Sequence, residues 1–381
     1  MNQLKKVLIL GILLLAIGAC AQKKVETDNV FIPGAEWKDT DGNHINAHGG
    51  GILYHEGIYY WFGEHKIEGK EGNRAQVGVH CYSSEDLYNW KDEGIALGVM
   101  PEGSGSDIEK GSIIERPKVI YNEKTNKFVM WFHLELKGLK YSSALSGIAT
   151  SDKVTGPYTY LKSVRPNAGH WPLNYPDSLK IKPVNIDGAV FTGGSISSPT
   201  HELNLVKRDL EKGQMARDMT LFRDDDGKAY HIYSSEENST LHIALLDENY
   251  TSHTGQYVRV FADRFMEAPA MFKKDGKYYL IMSGCTGWAP NAARSAVADS
   301  IFGEWKELGN PCIGEGDETT FESQSTFVLQ VTGTDKYIYM GDRWRPENPI
   351  KGTYVWLPVN FTDDGFTIEW KDRWSLDDMN E

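Results

Sequence analysis

The sequence has few cysteines, no excess of positive charge and no long stretch of helical periodicity. Its four cysteines form no Cys-x-x-Cys pair, which excludes the common zinc and dithiol motifs. A formal net charge of −13 argues against nucleic acid as a partner, because nucleic acid requires a basic surface. The weak helical periodicity also makes a doubly wound α/β fold a poor candidate.

One strongly apolar run stands at the N-terminus. Lys5 and Lys6 precede VLILGILLLAIGA, and the residues Ile17-Gly18-Ala19-Cys20 match a bacterial lipobox. This pattern predicts a signal peptide cleaved before a lipid-modified Cys20. We therefore expect a lipoprotein of a Gram-negative bacterium, periplasmic or anchored to the outer membrane, that meets the membrane only through its lipid. The expected divisions are 1–19 signal peptide, 20–34 tether and 35–381 catalytic domain.

Three cysteines remain after the lipobox. An odd number excludes a complete disulfide framework. Buried free thiols are expected at Cys81, Cys285 and Cys312, with a Cys285–Cys312 bridge as the alternative.

A hairpin pattern recurs along the chain. Each copy has a short apolar run, a turn rich in Gly, Asp, Asn or Lys, and a second run rich in Tyr, Phe, Ile and Val. The copies are AHGGGILYHEGIYYWFGE from 47, ERPKVIYNEKTNKFVMWFH from 115, RDMTLFRDDDGKAYHIYSSE from 217, EAPAMFKKDGKYYLIMSG from 267 and SQSTFVLQVTGTDKYIYMGDRW from 323. Two further strand-like runs follow each copy. Five units of four strands predict an all-β, five-bladed β-propeller.

The spacing between the second and third copies is much longer than the others. The excess predicts a loop insertion at about 160–216, rich in Pro, Gly and Asn, with one short helix near 205–212. Long excursions in compact folds are usually functional or disordered. Trp171 and Tyr175 favour a flap over a binding site.

Polar residues stand where the first strand of each blade begins. In a propeller these strands line the central axis, so their starts converge on one face. The equivalent positions are His48, Glu115, Asp218, Glu267 and Gln324, with Glu64 and Glu236 at the far ends of two of the same hairpins. Carboxylates brought together repel one another and resist desolvation. A cluster of this kind indicates a functional site.

Glycoside hydrolysis is the chemistry that uses paired carboxyl groups in this way. Glu267 is the candidate general acid, because Met266, Ala268, Pro269 and Ala270 give it apolar surroundings that raise a carboxyl pKa. Asp218 is the candidate neighbouring anion.

The layout, together with RDMTLFRDDDGKAY and EAPAMFKKDGKYYL, resembles glycoside hydrolase family 43, whose members are five-bladed propellers that invert the anomeric carbon. INAHGGG, ERPKVIYN, SGCTGWAPNAAR, SQSTFV and GDRW…YVWLP resemble its branch of exo-β-1,3-galactanases and related arabino- and galactofuranosidases. The resemblance extends from about residue 35 to 374.

The resemblance implies roles for individual residues. Glu267 would be the acid and Asp218 would orient it, with Glu115, Tyr141, Thr286 and Gln324 around the terminal sugar. Where most of the family has its base aspartate, this sequence has His48, followed by three glycines. The base would then be Gln324, as an imidic-acid tautomer, or Glu115, which is chemically the easier choice.

Aromatic residues supply candidate platforms for a sugar. Trp288 and Trp344 follow the apolar runs of blades four and five, on the expected site face. No residue cluster calls for a metal, and no cofactor is expected; a structural calcium ion near the axis, as in some relatives, stays open.

The expected function is therefore an exo-acting, inverting hydrolase that releases terminal galactose from β-1,3-galactan. An α-L-arabinofuranosidase or β-D-galactofuranosidase is the alternative within the same chemistry. A carbohydrate-binding lipoprotein without catalysis is the alternative from another class, motivated by the missing aspartate. The expected partner is a polysaccharide or oligosaccharide, with a monomeric protein.

Overall fold

The computed structural model describes residues 29–379 of the chain. The signal peptide, Cys20 and most of the tether lie outside these residues. Within them, no helix has both the length and the apolar character that a membrane span requires.

Strands dominate the described part of the chain. Blades one and two comprise β1 His48–His55, β2 Ile58–His65, β3 Gly78–Ser84, β4 Lys91–Gly98, β5 Ile113–Asn122, β6 Lys127–Glu135, β7 Leu145–Ser151 and β8 Thr159–Val164. Blades three and four comprise β9 Met219–Arg223, β10 Ala229–Ser235, β11 Thr240–Leu246, β12 His253–Val260, β13 Met266–Lys274, β14 Lys277–Gly284, β15 Arg294–Ala298 and β16 Lys306–Gly309. Blade five comprises β17 Cys312–Ile313, β18 Gln324–Gln330, β19 Tyr337–Arg343, β20 Thr353–Thr362 and β21 Gly365–Glu369.

Each blade is an antiparallel meander of four strands, and β17 adds a short parallel strand to the outer edge of blade five. The turn chemistry explains the tight hairpins. Between β13 and β14, Asp275 and Gly276 have φ of 50° and 77°, which is the left-handed pair that a two-residue hairpin requires. The predicted five-bladed β-propeller is confirmed.

The first strands of the blades form the inner ring. Each packs on its neighbours, and β18 of blade five contacts β1 of blade one, which closes the circle. Near the N-terminus, Phe31 pairs with Trp374, so the two ends of the described chain meet between blades five and one. Large side chains such as Trp61 and Trp356 fill the space between these blades.

The insertion between β8 and β9 contains short helices. These are α1 Asp177–Lys180, α2 Thr200–Leu203 and α3 Leu205–Asp209. The last one lies where a helix was expected. Trp171 and Tyr175 do not act as the expected flap: their rings stack at 5.3 Å, and the Tyr175 ring packs beneath the Arg259 guanidinium of β12.

The cysteines at 81, 285 and 312 are free thiols, so the alternative of a Cys285–Cys312 bridge is wrong. Two are buried, as expected. Cys285 is instead only partly buried, and it lies at the site described next.

Candidate active site

A cavity of about 750 Å³ opens at one end of the propeller axis. We call it the axial cavity. It is lined by Glu64, Lys66, Glu115, Arg116, Tyr141, Phe191, Thr192, Gly193, Gly194, Arg217, Asp218, Glu237, Asn238, Glu267, Cys285, Thr286, Gly287, Trp288, Gln324 and Trp344. Nine of the eleven sequence-predicted catalytic and sugar-binding residues are therefore brought together.

Breaks in strand register place the polar side chains at this cavity. The pairing of β1, β5, β13 and β18 shifts just after His48, Glu115, Glu267 and Ser325 respectively. Such bulges re-aim side chains at the rims of closed sheets. The residues that follow Glu115 and Glu267, Arg116 and Ala268, have φ of 53° and 55°, which is uncommon for residues other than glycine.

Glu267 lies in surroundings that favour its protonated form. Burial and the negative charge of Asp218 raise the pKa of its carboxyl to about 8, although Arg116 acts in the opposite direction. Gln324 Nε2 donates to Glu267 Oε1 over 3.1 Å, and the Cys285 thiol also hydrogen-bonds to this carboxyl. A carboxylic acid with this pKa still carries its proton at neutral pH.

Arg116 connects the groups around Glu267. Its Nε lies 2.8 Å from Asp218 Oδ2, and one terminal nitrogen donates to Gln324 Oε1 over 2.6 Å. The Asp218 oxygen also accepts the backbone N–H of Ala268 at 3.1 Å. Because Ala268 directly follows Glu267, these bonds tie the Asp218 carboxylate to the strand that carries the candidate acid.

The Gln324 amide is held by four hydrogen bonds. Its oxygen accepts from Arg116 and from Trp344 Nε1 at 2.9 Å. Its nitrogen donates to Glu267 and to Ser283 Oγ at 2.9 Å. Arginine and the tryptophan indole can only donate, so these neighbours fix which atom of the amide is oxygen.

Glu115 is the centre of a second hydrogen-bond network. Tyr141 OH donates to its Oε1 over 2.7 Å, and His133 Nδ1 lies 3.0 Å from its Oε2. Burial opposes ionisation, but the hydrogen bond and charge of His133 lower the Glu115 pKa to about 2. Glu135 accepts from the other ring nitrogen of His133 over 3.0 Å. Glu115 is therefore an anion at neutral pH.

Glu64 completes the floor of the cavity. Its carboxylate pairs with Lys66 at 2.5 Å and accepts the backbone N–H of Arg116 at 3.0 Å. Burial raises the pKa of Glu64, while Lys66 acts in the opposite direction.

Exposed and partly buried aromatic side chains form one wall. Trp288 and Trp344 meet edge to face with ring centroids 5.8 Å apart, and Trp288 is 41% exposed. Their neighbour Thr286 lines the same side. Such faces stack on the C–H surface of a sugar ring.

A small turn of the insertion also lines the axial cavity. Phe191 pairs with Ile196, and the turn between them brings Gly193 and Gly194 to the cavity. Gly193 O lies 3.4 Å from Asn238 Nδ2. A side chain at Gly194 would come within 2.5 Å of Cys285 O, so glycine is needed for this close approach. The insertion thus does form a flap, but with residues other than those expected.

Two of the predicted residues lie elsewhere. His48 is 0% exposed; it stacks on Tyr354 and lies 3.7 Å from Asp342, because the register break after it turns its ring away from the cavity. Glu236 is also fully buried, and it binds Arg259 at 2.6 Å and His242 at 2.8 Å inside blade three. Neither side chain lines the axial cavity.

Sequence reasoning missed several residues of the site. Hairpin register was the available signal for two of them: Glu115 pairs with His133, and Glu267 pairs with Ser283. The same rule that selected Glu64 opposite His48 would have found both His133 and Ser283. Lys66, Arg217, Glu237, Asn238 and Cys285 had no comparable signal, because loop geometry places most of them.

Within residues 29–379, one group of side chains is close enough to share a metal ion. Atoms of Glu115, His133 and Asp218 lie within 4.8 Å of one another. However, both His133 nitrogens face carboxylates, and despite burial these bonds raise the His133 pKa to about 9. A protonated imidazole has no lone pair for a metal. The residues form a chain of ion pairs rather than a fitting metal cage.

A protonated carboxyl group near an ionised carboxylate, as in Glu267 and Glu115, suits the cleavage of glycosidic bonds. The fold and the cavity thus define a glycoside hydrolase. Comparison with known proteins agrees: the profile of "Glycosyl hydrolases family 43" matches residues 189–367.

The chain is similar in structure to a β-1,3-galactosidase of that family, BT3683, solved with galactodeoxynojirimycin. The two share 53% identity with a TM-score of 0.86, over 91% of this chain and 100% of that one. This chain belongs to glycoside hydrolase family 43.

Two further relatives are more distant. An exo-β-1,3-galactanase from Phanerochaete chrysosporium, solved with β-1,3-galactotriose, is 33% identical with a TM-score of 0.74, over 91% of this chain and 68% of that one. A β-D-galactofuranosidase of Aspergillus niger is 26% identical over 167 residues, which are 40% of this chain and 48% of that protein. The match thus spans about half the length of this curated relative.

Proposed function

We propose that the protein is an exo-acting, inverting β-1,3-galactosidase that releases terminal galactose from β-1,3-galactan or its oligosaccharides. The observation that carries this proposal is the Glu267 carboxyl, which burial and the neighbouring Asp218 hold protonated at neutral pH, close to the ionised Glu115. The relatives named as β-1,3-galactosidase and exo-β-1,3-galactanase supply the sugar and the linkage.

Glu267 acts as the general acid. The hydrogen bond from Gln324 Nε2 occupies Glu267 Oε1, which leaves the proton on Oε2 to reach the glycosidic oxygen. As the bond to the leaving sugar breaks, this proton passes to the departing oxygen. Asp218 raises the acid's pKa and, through Arg116 and Ala268, holds it in place.

Glu115 is assigned as the base rather than Gln324. An imidic acid at Gln324 would place a hydroxyl proton on the oxygen that already faces two donors, Arg116 and Trp344. The structure offers no acceptor there, so this tautomer conflicts with its surroundings. Glu115 is ionised, and each of its oxygens retains a lone pair after bonding to Tyr141 or His133.

The reaction then follows the inverting course. Glu115 takes a proton from a water molecule as the water attacks the anomeric carbon, on the face opposite the leaving group. The Trp288–Trp344 wall and Tyr141 bind the terminal sugar, while the flap at 191–194 forms a further boundary of the cavity. A cavity closed in this way favours chain ends over internal bonds.

We also propose an extracytoplasmic location, which is supported by the lipobox ending at Cys20 and by a substrate that is a large polysaccharide.

The first test supplies the purified protein, without residues 1–19, with β-1,3-galactan, arabinan and a galactofuranoside. We expect galactose from the galactan alone, and NMR should show it first as the α-anomer. Release of arabinose from arabinan would instead indicate an α-L-arabinofuranosidase, and release of galactose from the galactofuranoside would indicate a β-D-galactofuranosidase. No hydrolysis of any of the three substrates would support a carbohydrate-binding protein and contradict the proposal.

The pH dependence of kcat/KM should reveal the acid. Glu267 must be protonated, and its pKa is about 8, so kcat/KM for β-1,3-galactobiose should fall above about pH 8. Glu115, with a pKa of about 2, stays ionised across the acidic range. The alkaline fall should be absent for 2,4-dinitrophenyl β-galactoside, whose leaving group departs without a proton. The same fall with both substrates would contradict the assignment.

A further inference from the structure

A buried lysine lies beneath the floor of the axial cavity and has no part in the steps above. Lys118, on β5, is 2% exposed. Its Nζ donates to Gly49 O over 2.8 Å and to Arg116 O over 3.4 Å. Gly49 lies in the bulge of β1 and Arg116 in the bulge of β5. One amino group therefore joins two irregular segments of neighbouring blades.

Both segments control groups of the candidate site. The Arg116 backbone N–H donates to Glu64 over 3.0 Å, and its side chain binds Asp218 and Gln324. Glu115 directly precedes it. Gly49 packs on the Glu64 carboxylate so closely that a side chain there would overlap it. A shift of either carbonyl would thus move several reacting or binding groups together.

The surrounding sequence makes space for Lys118. A side chain at Gly51 would come within 2.6 Å of Lys118 Cδ. This explains part of the glycine run after His48, which serves packing at the axis. Burial and then Arg116 lower the Lys118 pKa to about 7, while Glu64, Asp342 and Asp218 act in the opposite direction. Both the ammonium and the neutral amine have N–H groups that can donate to the carbonyls.

We propose that Lys118 is a positioning residue for the hydrolysis: its amino group joins the β1 and β5 bulges and thereby sets Glu64, Glu115 and Arg116 relative to one another. The inference rests on the proposed function. It adds a residue that neither touches the sugar nor lines the axial cavity.

The test replaces Lys118 by Met, which keeps the length of the side chain and removes its N–H groups. For β-1,3-galactobiose we expect kcat to fall about 10- to 100-fold, the size that small misplacements of catalytic groups produce. KM should change less than about threefold, with a native circular dichroism spectrum. Lys273→Met is the matched control: Lys273 also lies on an inner strand, but pairs with Asp224 and Asp225, and its variant should keep wild-type kcat.

Chemical rescue separates positioning from packing. Lys118 also borders a second cavity, of about 570 Å³, at the opposite end of the axis. In Lys118→Ala, propylamine should enter from that side and raise kcat at least about fivefold. Tetramethylammonium carries a charge but no N–H group, so it should have no effect.

Wild-type kcat in Lys118→Met would overturn the inference. Loss of the native fold in both Lys118 variants would also overturn it, because the residue would then be structural. A wild-type protein that is inactive on every substrate would instead refute the proposed function, and the inference with it.

Discussion

Replacement of Glu267 by Gln is expected to lower kcat for β-1,3-galactobiose by about 10³-fold or more, in the upper range of general acid catalysis. The amide keeps the shape of the side chain but has no acidic proton for the departing sugar oxygen. The same variant should lose about tenfold or less with 2,4-dinitrophenyl β-galactoside, because dinitrophenolate leaves without protonation. Steady-state kinetics on the two substrates measure this difference.

The binding of galactose provides the control for Glu267→Gln. Calorimetry should give a dissociation constant within a few fold of wild type, since the Trp288–Trp344 wall and Tyr141 are unchanged. Glu307→Gln, on the outer strand of the same blade, removes an ion pair with Arg264 and should leave both rates unaffected. An equal loss on both substrates would show that Glu267 positions the sugar rather than protonating the leaving group.

The architecture could be read from the sequence because each blade repeats the same local signals. Tight turns such as Asp275-Gly276 need left-handed backbone, and the alternating apolar runs beside them need a sheet. Inner strands then had to converge, so Glu115, Asp218, Glu267 and Gln324 were expected at one end of the axis. These signals are local, which is why the prediction held.

The errors have a common physical origin in the irregular backbone. A bulge reverses which face a side chain occupies, and single-sequence patterns do not locate it. His48 was assigned to the site by strand position, yet the break after it leaves the ring against Tyr354. The flap prediction chose the wrong part of the insertion: Trp171 and Tyr175 are aromatic and lie in a loop, but the turn at 191–194 is the part that lines the cavity.

Replacement of Glu115 by Gln is expected to lower kcat by about 10³-fold with both β-1,3-galactobiose and 2,4-dinitrophenyl β-galactoside. Activation of water is required whatever the leaving group, so the loss should not depend on it. Azide is a nucleophile that attacks without the help of a base, so added azide should restore turnover of the dinitrophenyl substrate by the variant. The product should be α-galactosyl azide, which NMR can identify.

Gln324→Ala is the matched comparison, because it separates the two candidates for the base. We expect kcat of Gln324→Ala to follow the pattern of Glu267→Gln, with a large fall for galactobiose and a small fall for the dinitrophenyl galactoside. The reason is that Gln324 Nε2 holds Glu267 Oε1 and thereby directs the acidic proton. If instead Gln324→Ala lost activity equally on both substrates and responded to azide, while Glu115→Gln did neither, the amide would be the base. The four hydrogen bonds around Gln324 would then have to rearrange when the sugar binds, since an oxygen that faces Arg116 and Trp344 cannot carry the proton of an imidic acid.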